Sequence, residues 1–250
     1  MVKTLSSGGL FGIDSVSRKS TKYRRIILKI SGEILGDKAG NFDPQVFSYL
    51  ASEIFSIHKL GIRIGVVIGG GNIMRGGFTH WLNRIDADLC GMVATIINGI
   101  VLYSQLKKKG IEAYLRSNLE VKGVVERFNK LSDRELYDKG AVMIFVGGTG
   151  SPLFTTDTAA AIKASELDVD LLIKGTKVEG VFSDDPLKVK GAKFYRHINF
   201  KDVIEKNLKI MDTSAFNICK EANIPICVFN LMKYPLKKVV LGERIGTIID

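Results

Sequence analysis

Ile26-Ile27-Leu28-Lys29-Ile30-Ser31-Gly32 is an apolar run of strand character that stops at a glycine-bearing turn, with a lysine and a serine where the run ends. Three later stretches repeat the arrangement. Val66-Val67-Ile68 leads into Gly69-Gly70-Gly71-Asn72, Val142-Met143-Ile144-Phe145-Val146 into Gly147-Gly148-Thr149-Gly150-Ser151, and Leu171-Leu172-Ile173 into Lys174-Gly175-Thr176-Lys177. Short apolar runs bounded in this way read as strands buried on both faces. In an open parallel α/β sheet, the turns at the carboxyl ends of neighbouring strands are where ligands bind. Bare backbone N–H groups plus lysines make an anion cradle, so four such turns predict a ligand rich in phosphate.

Working outward, strand and helix alternate from Tyr23 onward. Asp43-Pro44 is an N-cap followed by proline at the first helical position, and Gly61 closes the helix behind Val46, Phe47, Leu50, Ile54, Ile57 and Leu60. A strand is expected over 63–68, a helix over 91–109 with Asp86 and Asp88 ahead of it, and a strand over 111–115. Next come a short helix over 132–139, a strand over 141–146, a helix over 156–167 and a strand over 169–173. Beyond the Asp184-Asp185-Pro186 turn, helices are expected at 200–205 and 213–222 and strands at 226–229 and 245–249. This alternation predicts an α/β fold built on a mostly parallel sheet covered on both faces. Residues 23–250 are expected to form a single domain, preceded by a flexible basic extension over 1–22.

Length and composition exclude several classes. A chain of 250 residues can bury a full core, and 46% hydrophobic with 25% charged residues is ordinary for a globular protein. We expect no membrane association, since no apolar run reaches the ~20 residues needed to span a bilayer. The polar, glycine-rich start lacks a secretory signal core, which makes the cytoplasm the expected location. Cys90, Cys219 and Cys227 form no CxxC pair and read as reduced, buried thiols; His58, His80 and His197 are scattered. No metal site held by protein ligands is expected. Of the net charge of +10, residues 1–25 carry +5, from Lys3, Arg18, Lys19, Lys22, Arg24 and Arg25 against Asp14. Half of the excess therefore lies in the first 25 residues, a stretch too poor in apolar residues to bury itself, which favours solubility over nucleic-acid binding. The rest suits anionic substrates.

The common phosphate motifs are missing. No Gly-Lys dipeptide occurs for a Walker A loop, and Met74 stands where a dinucleotide fingerprint starting at Gly69 needs its third glycine. The His-Arg-Asp and Asp-Phe-Gly signatures of protein kinases are also absent. Lys29 and Lys174 stand at corresponding strand ends. Two lysines converging on one phosphoryl group would stabilise the charge that spreads over its oxygens, whereas lysines at strand ends can also simply be solvated. Asp157, at an expected helix start, can hold both lysines, cap backbone amides, or do both. Arg75, just past the triple glycine, suits a phosphate clamp. Asp86 and Asp88 can accept from ribose hydroxyls or cap a helix.

Taken together these residues resemble the amino acid kinase family, and within it the match to bacterial uridylate (UMP) kinases is close. The resembling stretches are Leu28 to Glu33, Gly65 to Asn72 with Arg75-Gly76, Asp88 with Gly91-Met92-Val93-Ala94-Thr95, Gly148 to Asp157, and Lys174 to Phe182 with Asp185-Pro186. The resemblance implies a three-layer α/β/α sandwich and ATP-dependent phosphorylation of UMP to UDP, the step that feeds UTP and CTP synthesis. It assigns Lys29, Ile30, Ser31, Gly32, Gly71, Arg75, Thr176, Phe182 and Asp185 to ATP. It assigns Gly70, Asp88, Thr149, Gly150, Ser151, Pro152, Leu153, Phe154, Thr155 and Thr156 to UMP. Catalysis falls to Lys29 and Lys174, organised by Asp157, with Mg2+ brought in by ATP. It further implies a homohexamer activated by GTP and inhibited by UTP.

The chain departs from the family pattern at Ser151 in place of asparagine, Leu153 in place of phenylalanine, Glu179 in place of aspartate, and over residues 80–86. Serine reaches less far than asparagine, which leaves base recognition to Thr149, backbone groups or water. The expected acceptor explains why no placed histidine is needed. A phosphate monoester has its second pKa near ~6 and arrives ionised, so alignment and charge neutralisation suffice. Two other activities fit parts of the pattern: phosphorylation of a carboxylate, and uridylate-responsive regulation through nucleic-acid binding by the basic extension.

Overall fold

The computed structural model describes residues 21–36, 42–74, 81–186, 188–208 and 210–250. The 1–20 part of the basic extension, together with Arg75, Gly76 and His80, lies outside the described residues. Among the described residues there are eleven strands: β1 (Arg25–Ile30), β2 (Arg63–Ile68), β3 (Ala113–Ser117), β4 (Glu126–Arg127), β5 (Val142–Val146), β6 (Leu171–Thr176), β7 (Val181–Phe182), β8 (Phe194–Tyr195), β9 (His197–Ile198), β10 (Ile226–Asn230) and β11 (Thr247–Ile249). Seven α-helices accompany them among the described residues: α1 (Pro44–His58), α2 (Arg84–Lys108), α3 (Lys130–Lys139), α4 (Thr156–Glu166), α5 (Phe200–Glu205), α6 (Thr213–Glu221) and α7 (Leu236–Val240).

Nine strands form one sheet in the order β4-β3-β5-β2-β1-β6-β10-β11-β9. All pairings are parallel except β10 with β11, which run antiparallel. The sheet is therefore mostly parallel, as expected. The four glycine turns follow β5, β2, β1 and β6, which are contiguous in that order. The chain builds outward from β1 on one side and then crosses to β6 on the other, a topological switch that opens a crevice at the carboxyl ends.

Alternation along the strands separates two cores. Ile26, Leu28 and Ile30 face α1, α2 and α7, whereas Ile27 joins residues of α3, α4 and α6 on the other face. The result is helices on both faces of one sheet, an α/β/α sandwich. By the same alternation Lys29 and Lys174 lie on the α4 face. Both are inside strands rather than in the turns after them, because β6 runs on to Thr176.

The largest correction concerns α2. It begins at Arg84 with Asn83 as its N-cap, seven residues earlier than expected, so Asp86 and Asp88 lie within its first turns instead of ahead of it. Asn83 accepts a hydrogen bond from the Asp86 N–H at 3.0 Å, a cap that starts the helix well ahead of Gly91. By length and composition α2 could cross a membrane, contrary to the expectation from apolar runs. It packs on α1, β2, β3 and β5 instead and carries buried Thr95 and Asn98. The hairpin of β7 and β8, the short strands β4 and β9, and α7 were not expected; each is a few residues long and has little periodic signal. Cys219 and Cys227 are buried, and burial pushes both thiols up to about 12. Cys90 is exposed on α2, which corrects the expectation of three buried thiols.

Candidate active site

Lys29 and Lys174 are register partners on the adjacent strands β1 and β6, so their side chains leave the same face side by side. Two ammonium groups held this close repel each other. The first turn of α4 supplies the compensating charge: Asp157 Oδ1 lies 2.7 Å from Lys29 Nζ, and Oδ2 accepts a hydrogen bond from Lys174 Nζ at 2.8 Å. All three side chains are largely buried, at 7%, 15% and 10% exposure for Lys29, Lys174 and Asp157.

Burial, the largest influence on Lys29, lowers its pKa below the ordinary lysine value; Asp157 opposes this and the Lys174 ammonium adds to it. Burial by itself would raise the Asp157 carboxyl, but the two ammonium groups outweigh it and hold it below the ordinary range. The carboxylate is thus fixed as an anion between two cations. Lys29 also donates to Ser31 Oγ at 3.2 Å, and Lys174 to the Ile210 carbonyl at 2.5 Å.

The helix start that places Asp157 is capped by Thr155, whose Oγ1 accepts from the Asp157 N–H at 3.0 Å. Asp157 is therefore not itself the cap. Asp212, the N-cap of α6, receives the hydroxyls of Thr155 and Thr158 and ties the two helix starts together. The α4 N-terminus opens onto the crevice, where its unpaired amides favour an anion.

The first and second turns touch. A Cβ on Gly32 would fall 2.2 Å from the Gly71 amide nitrogen, so a side chain there would force the turns apart. Ile30 belongs to the core, and its carbonyl accepts from Gly69 N–H at 2.9 Å; its side chain points away from the site. On the other flank, α2 is sewn to the second and third turns by polar side chains. Asn98 donates to the Gly69 carbonyl at 2.7 Å, and Thr95 Oγ1 accepts from the Gly147 N–H at 2.7 Å. Asn118 completes the set by donating to the Gly148 carbonyl at 2.6 Å.

These elements enclose a cavity of about 240 Å³ lined by Gly70, Gly71, Asp88, Gly148, Phe154, Thr155 and Thr156 among others. Five of the ten residues assigned to UMP thus share one wall system. Thr149, Gly150, Ser151, Pro152 and Leu153 do not line it. They form the exposed turn beyond Gly148, where Thr149 Oγ1 accepts from the Ser151 N–H at 3.2 Å and donates to the Ser151 carbonyl at 2.9 Å. Leu153 has φ 71°, and its amide donates to Asp88 at 2.9 Å.

Of the residues assigned to ATP, Lys29, Ser31, Gly32 and Gly71 gather at the first two turns, and Thr176 ends β6. Phe182 instead lines a second cavity of about 370 Å³ with Glu179, Phe194, Arg196, Tyr234 and Arg244. Asp185 is exposed in the loop after β7, and Arg75 lies outside the described residues.

Sequence reasoning missed Arg84, Met92 and Asp212. Arg84 lines the cavity and grips Asp88 through Nε at 2.9 and 3.0 Å. Its signal was the i,i+4 spacing to Asp88, visible once α2 is known to start at Arg84. Asp212 had the signal of an N-cap before Thr213, but nothing in sequence tied it to α4.

Residues 24–230 match the model of the amino acid kinase family. The uridylate kinase of Pseudoalteromonas translucida is 41% identical over 94% of this chain and 96% of its own length, and that of Idiomarina loihiensis is 43% identical over 91% and 95%. Among solved structures, UMP kinase from Bacillus anthracis superposes with a TM-score of 0.88 at 36% identity, covering 91% of this chain and 96% of its own. UMP kinase from Ureaplasma parvum gives 0.85 at 35% identity, covering 91% and 98%. With its fold, its paired lysines and these likenesses in agreement, the chain belongs to the amino acid kinase family.

Proposed function

We propose that this chain transfers the γ-phosphoryl group of ATP to UMP, giving UDP and ADP. The observation that carries the reading is one buried carboxylate, Asp157, shared by two lysines at the carboxyl ends of adjacent strands, beside a cavity walled by glycine turns and a helix N-terminus. The names of the relatives, uridylate kinase and UMP kinase, support the acceptor.

On this reading an oxygen of the ionised UMP phosphate attacks the γ-phosphorus of ATP in line. The new P–O bond forms as the bond to the β,γ-bridging oxygen breaks, and ADP leaves with that electron pair. No general base is required, because the acceptor oxygen carries no proton at neutral pH. Lys29 and Lys174 neutralise charge on the equatorial and bridging oxygens, and Asp157 holds both ammonium groups in place before substrate arrives. The glycine turns at Gly32 and Gly70 cradle phosphates, and Asp88 faces the acceptor's sugar. Mg2+ enters with ATP as part of the substrate. The finer features of the reading are a homohexamer activated by GTP and inhibited by UTP, and they rest on the likeness to uridylate kinases alone.

A coupled assay of ADP release with UMP, CMP, dUMP, aspartate and acetylglutamate tests this. Turnover with UMP well above the other acceptors is expected. Absence of UMP-dependent turnover overturns the reading, and turnover with either carboxylate replaces it.

A further inference from the structure

The first turns of α2 hold two aspartates, and the structure gives them different tasks. Asp86 Oδ2 accepts from the Asn83 side-chain amide at 2.6 Å, so that carboxylate belongs to the helix cap. Asp88 instead lines the 240 Å³ cavity, with its side chain 14% exposed. Two groups hold its carboxylate. Arg84, one turn earlier, donates through Nε to both oxygens, at 3.0 Å to Oδ1 and 2.9 Å to Oδ2. The Leu153 amide, 65 residues away in the chain, donates to Oδ2 at 2.9 Å. A carboxylate has about four acceptor positions, so the one left open lies on Oδ1.

Ion pairs one helical turn apart are common on surfaces and contribute little. Three observations set this one apart. Arg84 is the first residue of α2, the end of a helix where the dipole disfavours a cation. Among the described residues only its Nε–H has a partner, which leaves four N–H donors free on a side chain that lines the cavity. Leu153 takes φ 71°, a left-handed conformation that a residue other than glycine keeps only where its surroundings hold it, and its bond to Asp88 is one such hold. We infer that Arg84 is a positioning residue of the acceptor site: it fixes the Asp88 carboxylate so that the open position on Oδ1 meets a sugar hydroxyl, and it thereby sets a preference for a ribonucleotide over its deoxy analogues. This role rests on the acceptor reading of the cavity proposed above. Without Arg84 the carboxylate keeps only the Leu153 amide and turns about its own side-chain bonds, so the hydroxyl meets no fixed partner. Among the described contacts Arg84 has none with Lys29, Lys174 or Asp157, so its loss acts on acceptor binding rather than on the transfer step.

The test is calorimetric titration of the full chain with UMP, dUMP and 3′-deoxy-UMP, beside steady-state kinetics of ADP release with UMP. In the wild type at least one of the two deoxy analogues is expected to bind about ten-fold more weakly than UMP, the effect of one hydrogen bond to a charged group. Arg84→Ala should bring that ratio below about 3-fold and raise Kd and KM for UMP about ten-fold, with kcat changed by less than about 3-fold. Asp88→Asn should lose the discrimination in the same way, and adding Arg84→Ala to it should weaken UMP binding by less than a further ~2-fold, because the carboxylate that Arg84 positions is already gone. Three results overturn the inference: wild-type discrimination retained in Arg84→Ala, additive losses in the double variant, or a fall in kcat as large as the rise in KM. Equal binding of all three nucleotides by the wild type also overturns it and takes the sugar away from Asp88. A wild type that discriminates in binding yet shows no UMP-dependent turnover supports the role of Arg84 and overturns the transfer proposed above.

Discussion

Lys29 and Lys163 are both buried, and each lies 2.7 Å from a carboxylate. Burial is the largest influence on both and lowers both pKa values. They differ in what surrounds the pair. Lys163 lies 3.4 Å from the centre of the Phe128 ring and is tied to Glu166 three residues along its own helix, with no second cation on that carboxylate among the described contacts. Lys29 shares Asp157 with Lys174 and stands at the end of a central strand. A perturbed lysine is thus no sign of chemistry in itself; two cations on one carboxylate, facing a crevice of backbone amides, is.

The sharpest way to break this comparison is a pair of substitutions. Lys29→Ala should lower kcat by about 10²–10³-fold, in line with the loss of one preorganised charge contact in other enzymes, with KM for UMP within ~3-fold. Lys163→Met should leave kcat within about 2-fold, because its neighbours are aromatic rings and its own helix. Equal losses in steady-state kinetics would erase the distinction.

Removing the shared carboxylate comes next. Asp157→Asn leaves two buried ammonium groups facing each other and should reduce kcat about 10²-fold while costing about 3 kcal/mol of stability in urea unfolding. Lys163→Met should cost less than about 1.5 kcal/mol, since Glu166 is left partly in water. An Asp157→Asn protein as stable as the wild type would mean the lysines are not jointly held.

A smaller effect is expected in the pH profile. On the proposed role of Lys29 its ammonium form is the active one, so activity should be full below its pKa and fall as pH rises through it. That pKa is lowered, so the alkaline limb of kcat/KM for ATP should begin below the ordinary lysine value of 10.5. The limb should move upward in Lys29→Arg; a limb unmoved by that change would belong to another group. The smallest change is expected from Ser151→Asn, which should alter KM for UMP by less than about 3-fold. Ser151 lies on the exposed turn outside the cavity wall, bonded through its backbone to Thr149.

Much of this was legible in the sequence. The four turns, the two lysines and Asp157 were readable because strands buried on both faces carry dense apolar runs, and glycines mark where they stop. The start of α2 was not, because Asp86 and Asp88 resemble caps and the true cap, Asn83, precedes an arginine rather than an apolar residue. The Ile210 carbonyl that receives Lys174 has no sequence signature, since any residue supplies a carbonyl. Nor does sequence separate the second cavity at Phe182 from the first, because β7 and β8 are two residues each and their pairing is set by distant neighbours.

The direct pairing of Lys29 with Lys174 also bears on when activity arises. These residues are far apart in the chain, and β6 reaches β1 only after β2 to β5 have been laid down on the other side. A nascent chain that has formed β1 to β5 has three of its four glycine turns and the helix α2 but lacks the second cation, so on the proposed mechanism it would crowd phosphates without transferring them. Loop closure over that distance is a late step in folding. Activity regained during refolding would therefore report one event, the docking of β6 against β1, and partly folded molecules would not consume ATP.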